Sequence, residues 1–160
     1  MDNSSPSPKD TCFAACRQRR LSLIARMQQA GGGVAVIPTA PEQTRNRDAQ
    51  FPYRPDSYFQ YLTGFNEPEA ALVIVAAPDA AQSTAQSILF CREKNAERET
   101  WDGFRYGPDA AKEAFAFDAA HSIDAFDAQL AELLADQPAL WFSLGHDAAW
   151  DARIIQALNA

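Results

Sequence analysis

Apolar and polar positions along the 160-residue chain fall into blocks of helical and of strand-like period. Residues 12 to 30 contain neither Pro nor Gly. Phe13, Cys16, Leu21, Ile24 and Met27 recur there at roughly helical spacing with Arg17, Arg19, Arg20 and Arg26 between them, which predicts a first helix that Gly31-Gly32-Gly33 ends. Val34 to Ile37, stopped by Pro38 and Pro41, reads as a buried strand, and residues 42 to 52 as a polar loop. Leu72 to Ala77, Ile88 to Cys91 and Leu140 to Leu144 add three strands. The first two of these are expected to form an antiparallel hairpin with a long loop that opens at Pro78-Asp79. Ile123, Phe126, Leu130, Leu133 and Leu134 mark one face of an amphipathic helix capped by Ser122 or Asp124, and Trp150, Ile154, Ile155 and Leu158 mark a last helix over Asp147 to Leu158. Strands alternating with helices predict a three-layer α/β domain.

The stretch from Tyr53 to Val75 is the densest in local signals. Pro55 precedes a start at which Asp56 or Ser57 accepts hydrogen bonds from the first free amides, and Gly64 stands where a left-handed residue would close the helix. About one and a half turns lie between. Phe59 and Leu62, three apart, share the face toward the sheet, while Tyr58 and Tyr61 bury part of each ring and keep their hydroxyls in water.

Composition narrows the function classes. The length suits one domain with a real core, expected over residues 11 to 160, and Met1 to Asp10, rich in Ser and Pro, reads as a disordered tail without the basic and apolar regions of an export signal. With 47% hydrophobic and 22% charged residues and a net charge of −7, the chain reads as a soluble protein that repels nucleic acid. The longest apolar run, Ala70 to Ala77, is eight residues where a membrane span needs about 20, so a cytoplasmic protein is expected. Three cysteines, Cys12, Cys16 and Cys91, are an odd number that argues for free thiols.

Candidate chemistry is sparse. His121 and His146 are the two histidines, both at element ends where capping or surface roles suit them, and no H-E-x-x-H or paired-Cys motif accompanies them. A metal-activated water has no ligand set, and no metal or other cofactor is expected in the chain. Ser57 lacks the G-x-S-x-G elbow of a nucleophile and serves as a cap. The expected strands carry no carboxylate for magnesium, and the glycine triplet, preceding a strand, is a poor phosphate cradle. Glu67 and Glu69, flanking Pro68, read as a charged loop, and the arginines of the first helix as a solvated face or a subunit contact. Trp101 stands among polar neighbours in Glu99-Thr100-Trp101-Asp102-Gly103-Phe104-Arg105-Tyr106-Gly107. It reads as an exposed loop anchor or as an ordinary half-buried tryptophan. Asp48 reads as a loop carboxylate.

Arg54, Ser57, Phe59, Tyr61, Leu62, Thr63 and Gly64 have the spacing R-x-x-S-x-F-x-Y-L-T-G. With Phe65, Pro68, Glu69 and Ala70 they resemble the N-terminal domain of the Xaa-Pro aminopeptidases (aminopeptidase P), of the creatinase and prolidase type. The likeness reaches back through Gln43-Thr44-Arg45 to Gly33-Val34-Ala35-Val36-Ile37. Forward it takes in Leu89-Phe90-Cys91-Arg92 and Trp101 to Gly107, so that it covers about residues 12 to 160. It implies a three-layer mixed sheet of the ribonuclease-H-like kind. It also implies a parent that removes the N-terminal residue from peptides with proline second, using two divalent metal ions, manganese or zinc with manganese foremost, in a C-terminal pita-bread domain absent from this chain. By that resemblance the chain is the non-catalytic N-terminal domain, inactive alone, partnered by its catalytic domain and by further copies in a homo-oligomer, and serving assembly and restriction of the substrate pocket. Trp101 then matches a residue that reaches from one subunit into another's pocket, and Asp48 an aspartate near the mouth of the active site. The final helix runs to Asn159-Ala160 with no polar tail, as expected of a chain cut at a domain boundary. The competing expectation is a free-standing binding module of the same fold without peptidase activity.

Overall fold

The computed structural model describes residues 8–78 and 85–160. The first helix, α1 (Pro8–Gln29), begins four residues before the expected start at residue 12. Pro8 to Asp10 therefore lie in the helix, and the rest of the expected tail lies outside the described residues. α1 leads into β1 (Gly33–Pro38), which pairs antiparallel with β4 (Ala71–Ala76), and β4 pairs antiparallel with β5 (Gln86–Cys91). Two shorter strands extend the sheet in parallel: β6 (Ala119–Ser122) beside β5, and β7 (Leu140–Trp141) beside β1. The order β6-β5-β4-β1-β7 is the expected mixed sheet.

Alternation along the strands sends successive side chains to opposite faces. Ala35, Leu72, Ile74, Leu89 and Cys91 join one core with Ile24 and Met27 of α1, Phe59 and Leu62 of α2 (Ser57–Thr63), and Ala111 and Phe115 of α4 (Gly107–Phe115). Val34, Val36, Val73, Ile88 and Phe90 join the other with Phe126 and Leu130 of α5 (Phe126–Leu134) and Ile154 of α6 (Ala148–Leu158). The sheet therefore lies between two helical layers.

α2 forms as the sequence predicts. Asp56 is its cap, with Oδ1 accepting the Tyr58 and Phe59 amides at 2.8 and 3.0 Å, and Gly64 closes it at φ 68°. Phe59 and Leu62 are buried, whereas Tyr58 and Tyr61 are 74% and 56% exposed.

Elsewhere the structure corrects the expectations. Residues 42 to 52 are not wholly loop, since β2 (Thr44–Asn46) and β3 (Ala49–Gln50) form a small exposed hairpin. Leu140 to Leu144 pairs only over its first two residues. The Trp101 loop is helical over Glu99 to Asp102, which belong to α3 (Ala96–Asp102), and α4 and β6 have no counterpart among the expected elements. The arginines of α1 do not share one solvated face. Cys16, Arg20, Ile24 and Met27 form its buried stripe, and Arg20 is only 1% exposed. Its guanidinium lies 4.3 Å from the Phe117 ring centroid and donates to the carbonyls of Leu62, Phe115 and Ala116 at 2.9, 2.9 and 2.7 Å. These are carbonyls at the ends of α2 and α4 that have no donor within their own helices. Burial pulls the Arg20 pKa down to about 10.

Candidate functional site

Three surface features carry the candidate residues. The first is the excursion between β5 and α4, which contains α3. Asn95 caps α3 by accepting the Arg98 amide at 3.0 Å, and Glu97 and Glu99 near its start suit the positive end of the helix dipole. Its sequence, Ala-Glu-Arg-Glu-Thr-Trp-Asp, offers no apolar stripe with which to lie on the domain. Trp101, in its last turn, is 88% exposed, as the exposed-anchor reading expects, although it stands on a helix end and not on a loop tip. Lys94 Nζ sits 3.2 Å from Glu99 Oε1 and 4.6 Å from the Phe104 ring centroid.

Asp48 forms part of the turn of the β2–β3 hairpin, exposed, its own amide donating to Asn46 Oδ1 at 3.3 Å. No hydrogen bond or ion pair among the described residues joins Asp48 to Trp101. Of the other residues singled out in the sequence, Arg54 and Ser57 are exposed, Phe59 is core, and Gly64 is the left-handed stop of α2. Tyr61 lies under the Arg19 guanidinium, 4.1 Å from ring centroid to Cζ, and Arg19 donates to the Tyr61 carbonyl at 3.0 Å.

The third feature is a cavity of about 510 Å³ at the C-terminal ends of the parallel pair β1 and β7, the end at which open α/β sheets bind ligands. Val36, Ile37, Pro38, Leu62, Phe142 and Trp150 make its apolar wall, and Thr39, Asp56, Tyr58, His146 and Asp147 its polar parts. Tyr53 holds the Thr39 and Ala40 segment in place. Its hydroxyl donates to the Ala40 carbonyl at 3.1 Å, which leaves Thr39 to donate to the phenol oxygen across 2.6 Å. Burial raises the Tyr53 pKa, so the phenol keeps its proton at neutral pH. Both carboxylates at the cavity are helix caps. Asp147 Oδ1 accepts the Ala149 and Trp150 amides at 2.8 and 3.1 Å, as Asp56 Oδ1 accepts those of α2. Each cap uses Oδ1 alone, and the apolar wall beside these polar groups is of the kind that binds small ligands.

Among the described residues no group of three or more His, Cys, Asp or Glu side chains gathers as metal ligands would. The described residues do not fit a dinuclear metal centre. No helix among the described residues is long and apolar enough to cross a membrane.

The sequence reading missed the part played by Glu67. It is not a solvated loop charge but 8% exposed, with Oε1 accepting the Tyr106 amide at 2.8 Å and Oε2 lying 3.6 Å from Arg92 Nη2. The adjacent Glu69 is exposed, at φ 53°. Nothing in the local sequence separates the two, because what distinguishes Glu67 comes from residues 25 to 39 positions away.

Residues 16–141 match the family described as the aminopeptidase P N-terminal domain. The chain belongs to that family. It is 39% identical over 143 residues to the Xaa-Pro aminopeptidase of Escherichia coli, covering 89% of this chain and 31% of that protein. It is 28% identical over 141 residues to human Xaa-Pro aminopeptidase 3, covering 86% of this chain and 28% of the human protein. Among solved structures, zinc-substituted E. coli aminopeptidase P in complex with product superposes with a TM-score of 0.85 at 36% identity, over 98% of this chain and 33% of that one. This aminopeptidase P N-terminal domain therefore spans about a third of the length of the relatives it matches.

Proposed function

We propose that the chain serves as the non-catalytic N-terminal domain of a metal-dependent Xaa-Pro aminopeptidase acting in the cytoplasm. Its tasks are to build the homo-oligomer and to restrict access to a substrate pocket that the catalytic domain supplies. The observation that carries this is Trp101, 88% exposed at the end of a helix that has no apolar face of its own. An aromatic ring so placed adds nothing to the domain's core and is suited to anchor against a partner surface. Asp48, on its own exposed hairpin, is the second candidate for contact at the pocket mouth. The two metal ions, manganese by the family likeness, belong to the catalytic domain, since the described residues bring no ligand group together. The zinc in the E. coli relative supports a metal-dependent parent.

Trp101→Ala tests the reading. In the 160-residue chain it should change unfolding free energy by less than about 1 kcal/mol. In a multidomain enzyme carrying this domain it should cost about 2 kcal/mol or more in assembly or in kcat/KM, roughly thirtyfold. Loss of several kcal/mol from the chain together with unchanged kcat/KM and oligomer size would refute it. The free-standing binding module of the same fold draws its support from the cavity at the ends of β1 and β7.

A further inference from the structure

Residues 93–106 leave the sheet after β5 and return at α4, and their attachment to the domain is concentrated at the neck. Glu67 belongs to neither end of this excursion, yet one carboxylate touches both. Oε2 faces Arg92, the residue just before it, and Oε1 accepts the amide of Tyr106, its last residue. Lys94 closes the neck a second time. Gly107, at φ +71°, lies so near it that an added Cβ would stand 3.0 Å from Lys94 Cβ and 3.1 Å from Lys94 N. Lys94 Nζ also donates to the Arg105 carbonyl at 3.2 Å. Beyond the neck, residues 93–98 are exposed, and Trp101 and Phe104 turn outward.

The Glu67–Arg92 pair is a costly way to add stability. Both side chains are about 10% exposed, the N···O distance is 3.6 Å, and among the described residues neither Glu67 Oε2 nor Arg92 Nε has a hydrogen-bond partner. A buried pair of this quality does not recover its desolvation cost well, and its best-attested use is to specify one geometry among several. The geometry specified here is that of the excursion.

We propose that Glu67 is a positioning residue, a clamp on both ends of residues 93–106 that fixes the direction in which α3 displays Trp101. The inference rests on the reading of Trp101 as a recognition residue. It adds that the direction of display is set from outside the excursion, by a carboxylate in the loop between α2 and β4.

Amide hydrogen exchange on the 160-residue chain tests it. Glu67→Ala should speed exchange at Tyr106 and through α3 by about tenfold or more while the amides of β4 and β5 keep their protection, the signature of local and not global opening. Glu67→Gln, whose side-chain oxygen can still accept from the Tyr106 amide, should restore protection at Tyr106 but not at α3. Arg92→Met should free α3 and spare Tyr106, and it keeps the test decisive if Glu67→Ala fails to fold. Unchanged exchange over 93–106 in the folded variants overturns the inference, and so does a uniform rise that includes β4 and β5. Trp101→Ala should leave the neck's exchange unaltered. If that variant also leaves a multidomain enzyme's assembly and turnover intact, the recognition reading falls, while the exchange pattern alone decides whether Glu67 holds the excursion.

Discussion

Arg20→Met removes the donors that tie α1 to the ends of α2 and α4 while keeping an unbranched apolar stem in the same space. Three hydrogen bonds of 2.9, 2.9 and 2.7 Å disappear, and the carbonyls of Leu62, Phe115 and Ala116 lose the donors they have in the folded chain. Bonds to a charged group contribute about 1.5–3 kcal/mol each with desolvation already counted, and these three share one guanidinium, so the expected destabilisation is roughly 3–6 kcal/mol. Burial, which pulls the Arg20 pKa down to about 10, works against the larger figure. For a domain of this size that is a fall in Tm of about 6–24 °C. Urea denaturation followed by circular dichroism, with an unchanged m-value, is the assay. Arg19→Met is the control, since Arg19 is half-buried and donates to the Tyr61 carbonyl at 3.0 Å near the surface, so its cost should stay under about 1 kcal/mol. An Arg20→Met variant within about 1 kcal/mol of the unaltered chain, or an Arg19→Met variant that costs as much, would refute the reasoning.

Phe59 has no exposed surface, and Phe59→Ala should cost roughly 3–5 kcal/mol by the same denaturation assay, a shift in Tm of less than about 3 °C being incompatible with a core position. The Cys91 thiol is pushed up to about 12 chiefly by burial, with Glu67 and Glu93 adding to the effect, so the folded state holds a proton that the unfolded state releases near pH 9. Its contribution to stability is complete below that pH and is lost as pH rises toward 12. Between pH 8 and 10.5 the chain should lose about 2 kcal/mol more than Cys91→Ala does, and equal losses would remove Cys91 from the account. The Trp101→Ala and Glu67 variants described above complete the set.

What the sequence shows well is whatever is decided within a few residues. Asp56, Gly64 and the Phe59–Leu62 spacing contain the whole of α2, and the β-branched runs contain β1 and β4. β6 escaped because Ala119-Ala120-His121-Ser122 has neither β-branched residues nor alternation, and it is a strand only because β5 offers it an edge. α3 escaped because a polar heptapeptide with a tryptophan reads as a loop until its Asn95 cap is seen. Arg20 cannot be told from Arg19 by composition, since its burial depends on carbonyls 42 to 96 positions away. The candidate site is legible to the same degree. The exposure of Trp101 follows from its polar neighbours, whereas its support by Glu67 depends on a tertiary neck that local sequence does not encode.

The pairing of β1 with β7 sets an order of events during synthesis. Val34 and Ala35 find their parallel partners at Leu140 and Trp141. At about 5–20 residues per second, the ribosome delivers those partners roughly 5–20 s after β1 has emerged. The antiparallel β1, β4 and β5 can associate in the meantime, leaving one flank of β1 as an open apolar template of the kind that recruits other chains. Nascent chains halted before residue 140 should therefore depend most on chaperones, and β7, two residues long, is the piece that later covers Val34 and Ala35 on that flank.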